Sequence, residues 1–352
     1  MANDAAFMWR ALELARRGCG HTRPNPPVGA VVVKGGRIVG EGWHRRAGGD
    51  HAEVAAMKCA RRRGLKSLSG ASVYVTLEPC SRPGRVGACT DAIAAAGIKR
   101  VVYAVPDPNP RNRGRARRVL ARAGVECECL ASGRSFQDCV AAAQRLVAPF
   151  AKHVVTGLPY VTVKLAMSLD GKICDCRGDA KWISSAASRR FTGGFRAEVD
   201  AIMVGAETVR KDDPSLLSHG RPNRDLVRVV VSRSGRLPKG AQVFADGKNE
   251  TLVFGDARSA IEELGRRGFL HVLCEGGLKL ATSLAEEGLV DEWIAVTAPV
   301  VIGDRPIARA VRMKLGASGF SDRAAGDRIG FYGTKLPTAL AKNTPLRGWR
   351  GL

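Results

Sequence analysis

Residues 78–89 read EPCSRPGRVGAC, and the earlier residues 51–56 read HAEVAA. The two stretches contain one histidine, one glutamate and two cysteines, namely His51, Glu53, Cys80 and Cys89. A catalytic zinc site takes three protein ligands from His, Cys, Asp or Glu and leaves its fourth position to water. The pattern therefore predicts a zinc centre with His51, Cys80 and Cys89 as its ligands.

The spacing of the two cysteines differs from the zinc-deaminase signature H-x-E…P-C-x-x-C, in which the glutamate carries protons and binds no metal. Here a loop must leave after Cys80 and return to Cys89, which opens the helical stretch CTDAIAAAG. A thiolate at a helix N-terminus is stabilised by the helix dipole and by backbone N–H groups. The loop SRPGRVGA carries Arg82 and Arg85, whose charges suit an anionic group of a substrate. We expect Glu53 to carry protons at this centre.

The composition is that of an ordinary globular protein, with 352 residues of which 45% are apolar and 25% charged. This length suits two domains. No apolar run approaches the roughly 18–20 residues of a membrane-spanning helix, and the first residues do not resemble a secretory signal. Ten cysteines without such a signal favour a reducing compartment. We therefore predict a cytoplasmic protein without membrane association, in which the cysteines outside the zinc set are ordinary thiols.

The formal net charge of +23 is spread over both parts of the chain, with short clusters at residues 61–63 and 111–118. A basic protein favours anionic partners, either nucleic acid or phosphorylated small molecules. Aromatic residues make up only 5% of the chain, which is few for a surface that stacks single-stranded bases. The charge is therefore compatible with a generally basic surface, and we predict no specific nucleic-acid partner.

Hydrophobic periodicity predicts alternating strands and helices. A helix over residues 4–17 precedes two strands in VGAVVVKGGRIVGEGW, joined at Lys-Gly-Gly. A helix over 52–63, the strand ASVYVTL, a helix over 89–96, the strand RVVYAV and the helix GRARRVLARAG follow, which is typical of an α/β domain with a mixed sheet. A second α/β pattern starts after GLP at 157–159. We predict two domains, 1–149 and 150–352, with residues after about 335 poorly ordered.

Three motifs resemble one known family. PNPPVG at residues 24–29, HAEVAA and EPCSRPGRVGAC are similar to the zinc-site motifs of the bifunctional riboflavin-biosynthesis deaminase–reductases. The resemblance extends to about residue 315. It implies a cytidine-deaminase-like α/β/α domain with a mixed sheet, followed by a dihydrofolate-reductase-like α/β domain. It also implies Zn²⁺ and NADPH as cofactors, a phosphorylated pyrimidine as the small-molecule substrate, and a homo-oligomer.

The resemblance assigns further residues of the first half. Asn25, His44, Glu53 and Arg85 would contact the substrate, and the charge of Arg82 adds it to the predicted substrate residues. Glu53 would take a proton from the zinc-bound water and return it to the exocyclic amine of a pyrimidine that bears a phosphoribosylamino group. The amine would then leave as ammonia.

In the second half the stretch LCEGGLKLATSL predicts a strand, a Gly-Gly turn and a helix whose first N–H groups can approach a phosphate. Such a turn is also common for structural reasons. The resemblance implies that NADPH reduces the ribosyl group to ribityl here. The residues implied for NADPH are Met167, Trp182, Thr208, Asp212, Gly277, Leu278, Lys279, Leu280, Ala281, Thr282 and Ser283. Those implied for the substrate are Ala180, Arg196, Leu216, His219 and Glu275.

Arg233 follows the strand VRVVVS, and we predict that it reads the 2′-phosphate of NADPH, although a strand-end arginine is common. Hydride transfer needs no protein nucleophile, because the cofactor supplies the reacting hydride. Asp212 and Glu275 are the candidate acid–base residues.

The chain departs from the family motifs at three places. Arg82 replaces a histidine, Val86-Gly87-Ala88 replaces Thr-Pro-Pro, and His219 replaces an arginine expected to bind phosphate. Because a histidine is mostly neutral at pH 7, substrate binding in the reductase half is expected to be weaker. Two other interpretations stay open: a tRNA base deaminase with a basic accessory domain, and a non-catalytic binding module. The complete zinc set argues against the second of these.

Overall fold

A computed structural model describes residues 2–82, 87–132, 136–179, 183–218, 220, 223, 225–304, 311–312 and 328–333. Four of the predicted site residues lie outside these ranges, namely Arg85, Ala180, Trp182 and His219. So does the segment after residue 335, for which we expected poor order. The chain forms two compact units, Met1–Gly157 and Leu158–Leu352.

The first unit contains one five-stranded sheet. Its strands are β1 (Gly29–Lys34), β2 (Arg37–Trp43), β3 (Ser72–Leu77), β4 (Arg100–Val105) and β5 (Glu126–Cys129). Its helices are α1 (Ala2–Arg16), α2 (Ala52–Arg62), α3 (Cys89–Ala95), α4 (Arg115–Arg122) and α5 (Gln137–Thr156), with a 3₁₀ turn at Leu130–Ser132. The strand order is β2-β1-β3-β4-β5. Because β1 is antiparallel to β2 and β3 while β3, β4 and β5 are parallel, the predicted mixed sheet is confirmed.

Helices cover both faces of this sheet, so its central strands are apolar on both sides. In β1, Ala30 and Val32 pack with α2, α3 and α4, whereas Val31 and Val33 pack with α1 and α5. This period of two is the side-chain alternation of a strand. Helix α5 belongs to this core through its buried face, and it runs across the boundary that we predicted between residues 149 and 150.

The second unit contains a seven-stranded sheet. Its strands are β6 (Tyr160–Met167), β7 (Ala201–Gly205), β8 (Val227–Val231), β9 (Thr251–Phe254), β10 (His271–Cys274), β11 (Glu292–Thr297) and β14 (Arg328–Gly333), and β12 (Val300–Val301) pairs separately with β13 (Val311–Arg312). Its helices are α6 (Ala186–Phe195), α7 (Ala206–Asp212), α8 (Gln242–Ala245), α9 (Ala257–Arg266) and α10 (Leu278–Glu286).

The sheet order is β14-β11-β6-β10-β7-β8-β9, and every pairing except that of β11 with β14 is parallel. Strand β10 therefore lies between β6 and β7 in the sheet, although β7 is the next strand after β6 along the chain. In such α/β sheets the carboxyl ends of the parallel strands share one edge, and ligands bind beyond that edge where the strand order changes direction. The predicted α/β class is confirmed for both units.

Within the described residues, no helix combines the length and the hydropathy that crossing a membrane would require.

Candidate metal centre and reductase site

The three predicted zinc ligands lie together in the first unit. The ligand atoms of His51, Cys80 and Cys89 are all within 4.8 Å of one another. His51 Nδ1 is 3.2 Å from Cys89 Sγ and 3.5 Å from Cys80 Sγ. Tetrahedral zinc, with Zn–S near 2.3 Å and Zn–N near 2.0–2.1 Å, requires ligand separations of about 3.5–4 Å. The separation from Cys80 meets this range and the one from Cys89 is slightly shorter. One nitrogen and two sulfurs therefore converge closely enough to hold a catalytic zinc ion, with the fourth position left to water.

Three element ends bring the ligands together. His51 immediately precedes α2, Cys80 follows the end of β3, and Cys89 is the first residue of α3. The backbone N–H of Cys89 donates to Cys80 Sγ at 3.2 Å, and the N–H of Thr90 donates to the Cys80 carbonyl at 3.2 Å. Cys89 begins α3, and the first two N–H groups of α3 donate to Cys80. The N-terminus of this helix therefore brings the two ends of the loop together.

The ligand cluster favours one thiolate. The hydrogen bond with Cys89 and that with His51 lower the pKa of Cys80 to about 4, against the opposing effect of burial. The hydrogen bond to Cys80, together with burial, raises the pKa of Cys89 well above its usual range. The hydrogen bond with Cys80 raises the pKa of His51. A divalent cation would bind all three groups in their deprotonated forms, as metal ligands do.

Glu53 lies beside the ligands, in the first turn of α2. Its side chain is buried, with 3% exposed. Burial, and then the charge of Cys80, raise the pKa of Glu53 to about 7. A carboxyl with a pKa near the working pH can both accept and donate a proton, which is the property of a general acid–base catalyst.

His44 and Asn25 form a fixed pair next to His51. Asn25 Nδ2 lies 3.1 Å from His44 Nε2, and His44 Nδ1 lies 3.0 Å from the carbonyl of Asp50. Burial lowers the pKa of His44, so its ring is neutral, with Nδ1–H donating to Asp50 and Nε2 accepting from Asn25. The rings of His44 and His51 are 5.3 Å apart, edge to face. These two of the residues predicted to contact substrate therefore lie beside His51.

A cavity of about 290 Å³ opens beside the ligands. Its lining residues are Asp50, His51, Val54, Gly87, Ala88, Asp91 and Ala92. Its volume is close to the lower limit of ordinary small-molecule sites. Arg82 is exposed on the loop that follows Cys80.

The predicted reductase residues gather at the carboxyl edge of the second sheet. Met167 ends β6, Thr208 and Asp212 lie on α7 after β7, Arg233 follows β8, and Glu275 follows β10. The run from Gly277 to Ser283 forms the N-terminal part of α10. These positions match the ligand edge of a parallel sheet.

Not every side chain in this group faces solvent. Gly277, Leu278 and Lys279 are exposed, whereas Leu280 and Ala281 are buried in the core with α9. The backbone N–H groups of Leu280 and Ala281 donate to the Gly277 carbonyl at 3.1 and 3.2 Å. Phosphate binding at this helix start would therefore use the N–H groups of residues 277–279.

Arg196 and Glu275, both predicted to face the substrate, bind each other. Arg196 Nε donates to Glu275 Oε1 at 2.8 Å and Nη2 donates to Oε2 at 2.9 Å, a bidentate ion pair. Arg196 Nη1 also donates to the carbonyl of Leu217 at 3.1 Å. Leu216 has a φ of 55° and a buried side chain packed in the core, so only its backbone could meet a ligand.

Sequence reasoning did not single out Glu78 or Asn112, two buried polar residues around Cys80. The available signal was weak: Glu78 precedes the Pro-Cys pair, and Asn112 lies in the loop PDPNPRN, rich in Pro and Asn, after β4.

Comparison with known proteins divides the chain in the same order. Residues 1–105 match the cytidine and deoxycytidylate deaminase zinc-binding region, and residues 159–314 match the RibD C-terminal domain. The riboflavin biosynthesis protein RibD of Aquifex aeolicus is 36% identical over 325 residues, covering 86% of this chain and 88% of that protein. The chain belongs to the RibD family. RibD of Escherichia coli is also 36% identical, over 336 residues that cover 85% of this chain and 89% of that protein.

Solved RibD structures agree over both units. A Thermotoga maritima diaminohydroxyphosphoribosylaminopyrimidine deaminase/5-amino-6-(5-phosphoribosylamino)uracil reductase has a TM-score of 0.80 at 33% identity, covering 94% of this chain and 98% of its own. Acinetobacter baumannii RibD has a TM-score of 0.73 at 34% identity, covering 93% and 97%.

The chain is therefore a bifunctional enzyme of riboflavin biosynthesis, with a zinc-dependent deaminase domain followed by an NADPH-using reductase domain. The predicted family, fold class and cofactors are confirmed. Because both halves match RibD proteins, this assignment replaces the tRNA deaminase and the non-catalytic module that the sequence alone left open.

Proposed function

We propose that the first unit deaminates 2,5-diamino-6-(5-phosphoribosylamino)pyrimidin-4(3H)-one and that the second reduces the ribosyl side chain of the product to ribityl. The observation that carries the first step is the convergence of one imidazole nitrogen and two sulfurs within 4.8 Å, beside a carboxyl that is 3% exposed. A structural zinc site takes four protein ligands, whereas three with a neighbouring acid–base group are typical of a catalytic one.

His51, Cys80 and Cys89 would hold the metal. Bound Zn²⁺ lowers the pKa of a water molecule toward about 7 and so supplies a nucleophile at neutral pH. Glu53 takes a proton from the attacking water and returns it to the exocyclic nitrogen, which leaves as ammonia. Its raised pKa, about 7, suits both transfers because the two protonation states are similar in free energy.

The polar residues next to the metal centre would bind and orient the substrate. Asn25 and His44 are fixed to each other, and both ring nitrogens of His44 are engaged, so Asn25 would offer its remaining amide groups to a pyrimidine ring. Arg82 and Arg85 would bind the phosphate, because guanidinium groups match phosphate oxygens in charge and geometry.

In the reductase unit NADPH supplies the hydride, and the protein supplies binding and orientation. Met167, Trp182, Thr208 and Asp212 would line the nicotinamide side, and the stretch from Gly277 to Ser283 would lie under the phosphates. Arg233, exposed after β8, would meet the 2′-phosphate.

The substrate side of the reductase unit would be formed by Ala180, Arg196, Leu216, His219 and Glu275. Arg196 occupies both carboxylate oxygens of Glu275, so Asp212 is the better candidate for proton transfer.

We also propose a cytoplasmic homo-oligomer that binds its phosphorylated pyrimidine and no specific nucleic acid. None of the ten cysteines forms a disulfide, which is consistent with a reducing compartment. Sedimentation velocity of the purified chain would measure its oligomeric state, and a monomer at micromolar concentration would contradict this part of the proposal.

The test of the deaminase step replaces Glu53 by Gln, which preserves shape and removes the proton carrier. We expect zinc content equal to wild type and a loss of ammonia release of at least about 100-fold, since general acid–base catalysis contributes about 10²–10⁴-fold. Glu128→Gln, on the exposed edge strand β5, is the matched control and should retain full activity. Full ammonia release by Glu53→Gln would contradict the proposed role.

A further inference from the structure

The chain segment on either side of Cys80 is held by one amide side chain. Asn112 Oδ1 accepts hydrogen bonds from the backbone N–H of Ser81 at 2.9 Å and from its hydroxyl at 2.8 Å. Asn112 Nδ2 donates to the carbonyl of Pro79 at 3.4 Å and to Asp107 Oδ2 at 2.9 Å. The residues before and after the cysteine are therefore bound to the same side chain.

Asn112 is itself held in place by the end of β3. The buried carboxylate of Glu78 accepts hydrogen bonds from the backbone N–H groups of Asp107 at 3.1 Å, Gly114 at 3.0 Å and Ala116 at 3.1 Å. These three residues enclose the loop that carries Asn112, and the last lies in the first turn of α4. The segment 78–81 and the loop 107–116 thus bind each other at both ends, with Cys80 between the two anchors.

Asparagine is suited to this position because its side chain accepts with one atom and donates twice with another. Asn112 is only 7% exposed, so water does not compete freely for these bonds. His51 and Cys89 lie at helix starts, whereas Cys80 lies in irregular backbone. The N-terminus of α3 contacts the sulfur and the carbonyl of Cys80, and Asn112 binds the residues on either side of it. Groups that orient a metal ligand commonly contribute 10–100-fold to metal affinity.

We propose that Asn112 is a positioning residue for the metal centre, which fixes the backbone around Cys80 so that its sulfur meets the other two ligand atoms. This inference rests on the proposed role of Cys80 as a zinc ligand. Loss of the amide leaves Cys80 chemically intact but lets its sulfur move away from the shared point.

The test measures zinc affinity of the full-length chain by competition with a chelator, together with the absorption of the Co²⁺-substituted protein. We expect Asn112→Ala to weaken zinc binding about 10–100-fold and to reduce the thiolate-to-cobalt absorption band. The control is Asn109→Ala in the same loop, whose side chain accepts from Arg111 N–H at 3.0 Å. Asn109→Ala should change zinc affinity less than about twofold, within the range of surface substitutions.

Ser81→Ala removes only the hydroxyl partner of Asn112 and keeps the proposal testable if Asn112→Ala does not fold. It should weaken zinc binding by a smaller factor, and the double variant should lose less than the product of the two single losses, as residues in one network do. Wild-type zinc affinity and an unchanged cobalt spectrum in Asn112→Ala, or in Ser81→Ala if the first variant does not fold, would overturn the inference. So would an equal loss in Asn109→Ala. Failure of the proposed function would show differently, as a Cys80→Ser variant that binds zinc like wild type.

Discussion

Burial changes the acid–base chemistry of Glu53, which lies two residues after the proposed ligand His51. Because α2 begins after His51, Glu53 lies in its first turn with 3% of its surface exposed, and burial raises the pKa of Glu53 to about 7. The family's reaction needs a group that accepts a proton and later donates it. The local fold therefore desolvates the carboxyl that we propose as the acid–base catalyst.

Burial has a measurable consequence at His271 in the reductase unit. Its ring packs edge to face on Tyr160 and Phe195, and its Nε2 lies 2.8 Å from the hydroxyl of Thr162. Burial lowers the pKa of His271 to about 3, against about 6.5 in an unfolded chain. The folded state therefore favours the neutral ring, and its stability is complete above pH 6.5 and decreases as the pH falls toward 3.

We expect His271 to contribute a loss of up to about 1.4 kcal/mol in the free energy of unfolding per pH unit within that window. Replacing His271 by Gln should reduce the acid sensitivity of the reductase unit by this contribution. Hydrogen exchange of the β10 amides, measured between pH 4 and 7 on both proteins, checks the difference. Identical pH slopes would show that His271 is not buried as a neutral ring.

At the residue scale the sequence pointed to the proposed zinc ligands and to Glu53. It did not point to Asn112, whose side chain binds the backbone around Cys80. The zinc set is recognisable because His, Cys and Glu at such spacing are rare in a core. Asn112 is 32 residues beyond Cys80 in the chain, and no local pattern indicates that its amide returns to Ser81 and Pro79. Only the tertiary fold brings these groups together.

At the scale of elements, close packing of α2 on β2 determines where His51 lies. Gly40 and Gly42 of β2 face the helix and have no room for a side chain. A Cβ on Gly42 would lie 2.3 Å from Ala56 N and 2.6 Å from the Ala52 carbonyl oxygen. The nearest atoms are backbone atoms of α2, which cannot rotate out of the way as a side chain can. The small residues of HAEVAA and EGW thus allow the helix start to approach the sheet edge where the ligands meet.

Replacing Gly42 by Ala should therefore destabilise the first unit by about 1–3 kcal/mol, the usual cost of overpacking, and weaken zinc binding because the start of α2 must move. Thermal unfolding and zinc affinity together check this expectation. Gly240→Ala, where nothing lies within 4 Å of the new Cβ, is the matched control and should leave both values unchanged. Wild-type stability in Gly42→Ala would contradict the packing argument.

The elements themselves were largely predictable, and β5 and β11 are two of the strands that the sequence analysis did not predict. The starts of α2 and α3 follow from local signals, because His-Ala-Glu and Cys-Thr-Asp open apolar helical patterns. Strand β5, ECEC, was missed because it is a short edge strand with two exposed acidic residues. Strand β11, EWIAVT, was also missed; only Ala298 and Pro299 separate it from β12. Pairing with neighbouring strands decides both, and a single sequence does not contain that information.

At the scale of the whole molecule, two units carry two chemistries that need different cofactors. The proposed zinc ligands all belong to Met1–Gly157, and the proposed NADPH residues all belong to Leu158–Leu352. Removing zinc with 1,10-phenanthroline should therefore abolish ammonia release while NADPH oxidation persists when the deaminated product is supplied. Readdition of Zn²⁺ should restore deamination. Loss of both activities on chelation, with the fold intact by circular dichroism, would show that the two functions depend on one metal.

The most direct test of the central claim is X-ray absorption at the zinc edge of the purified chain. The account predicts one zinc ion per chain, with two sulfur ligands near 2.3 Å and nitrogen or oxygen ligands near 2.0–2.1 Å. The Cys80→Ser and Cys89→Ser variants should each remove one sulfur from that shell or release the metal. A zinc shell without sulfur, or one unchanged in both variants, would contradict the assignment of His51, Cys80 and Cys89 as the metal centre.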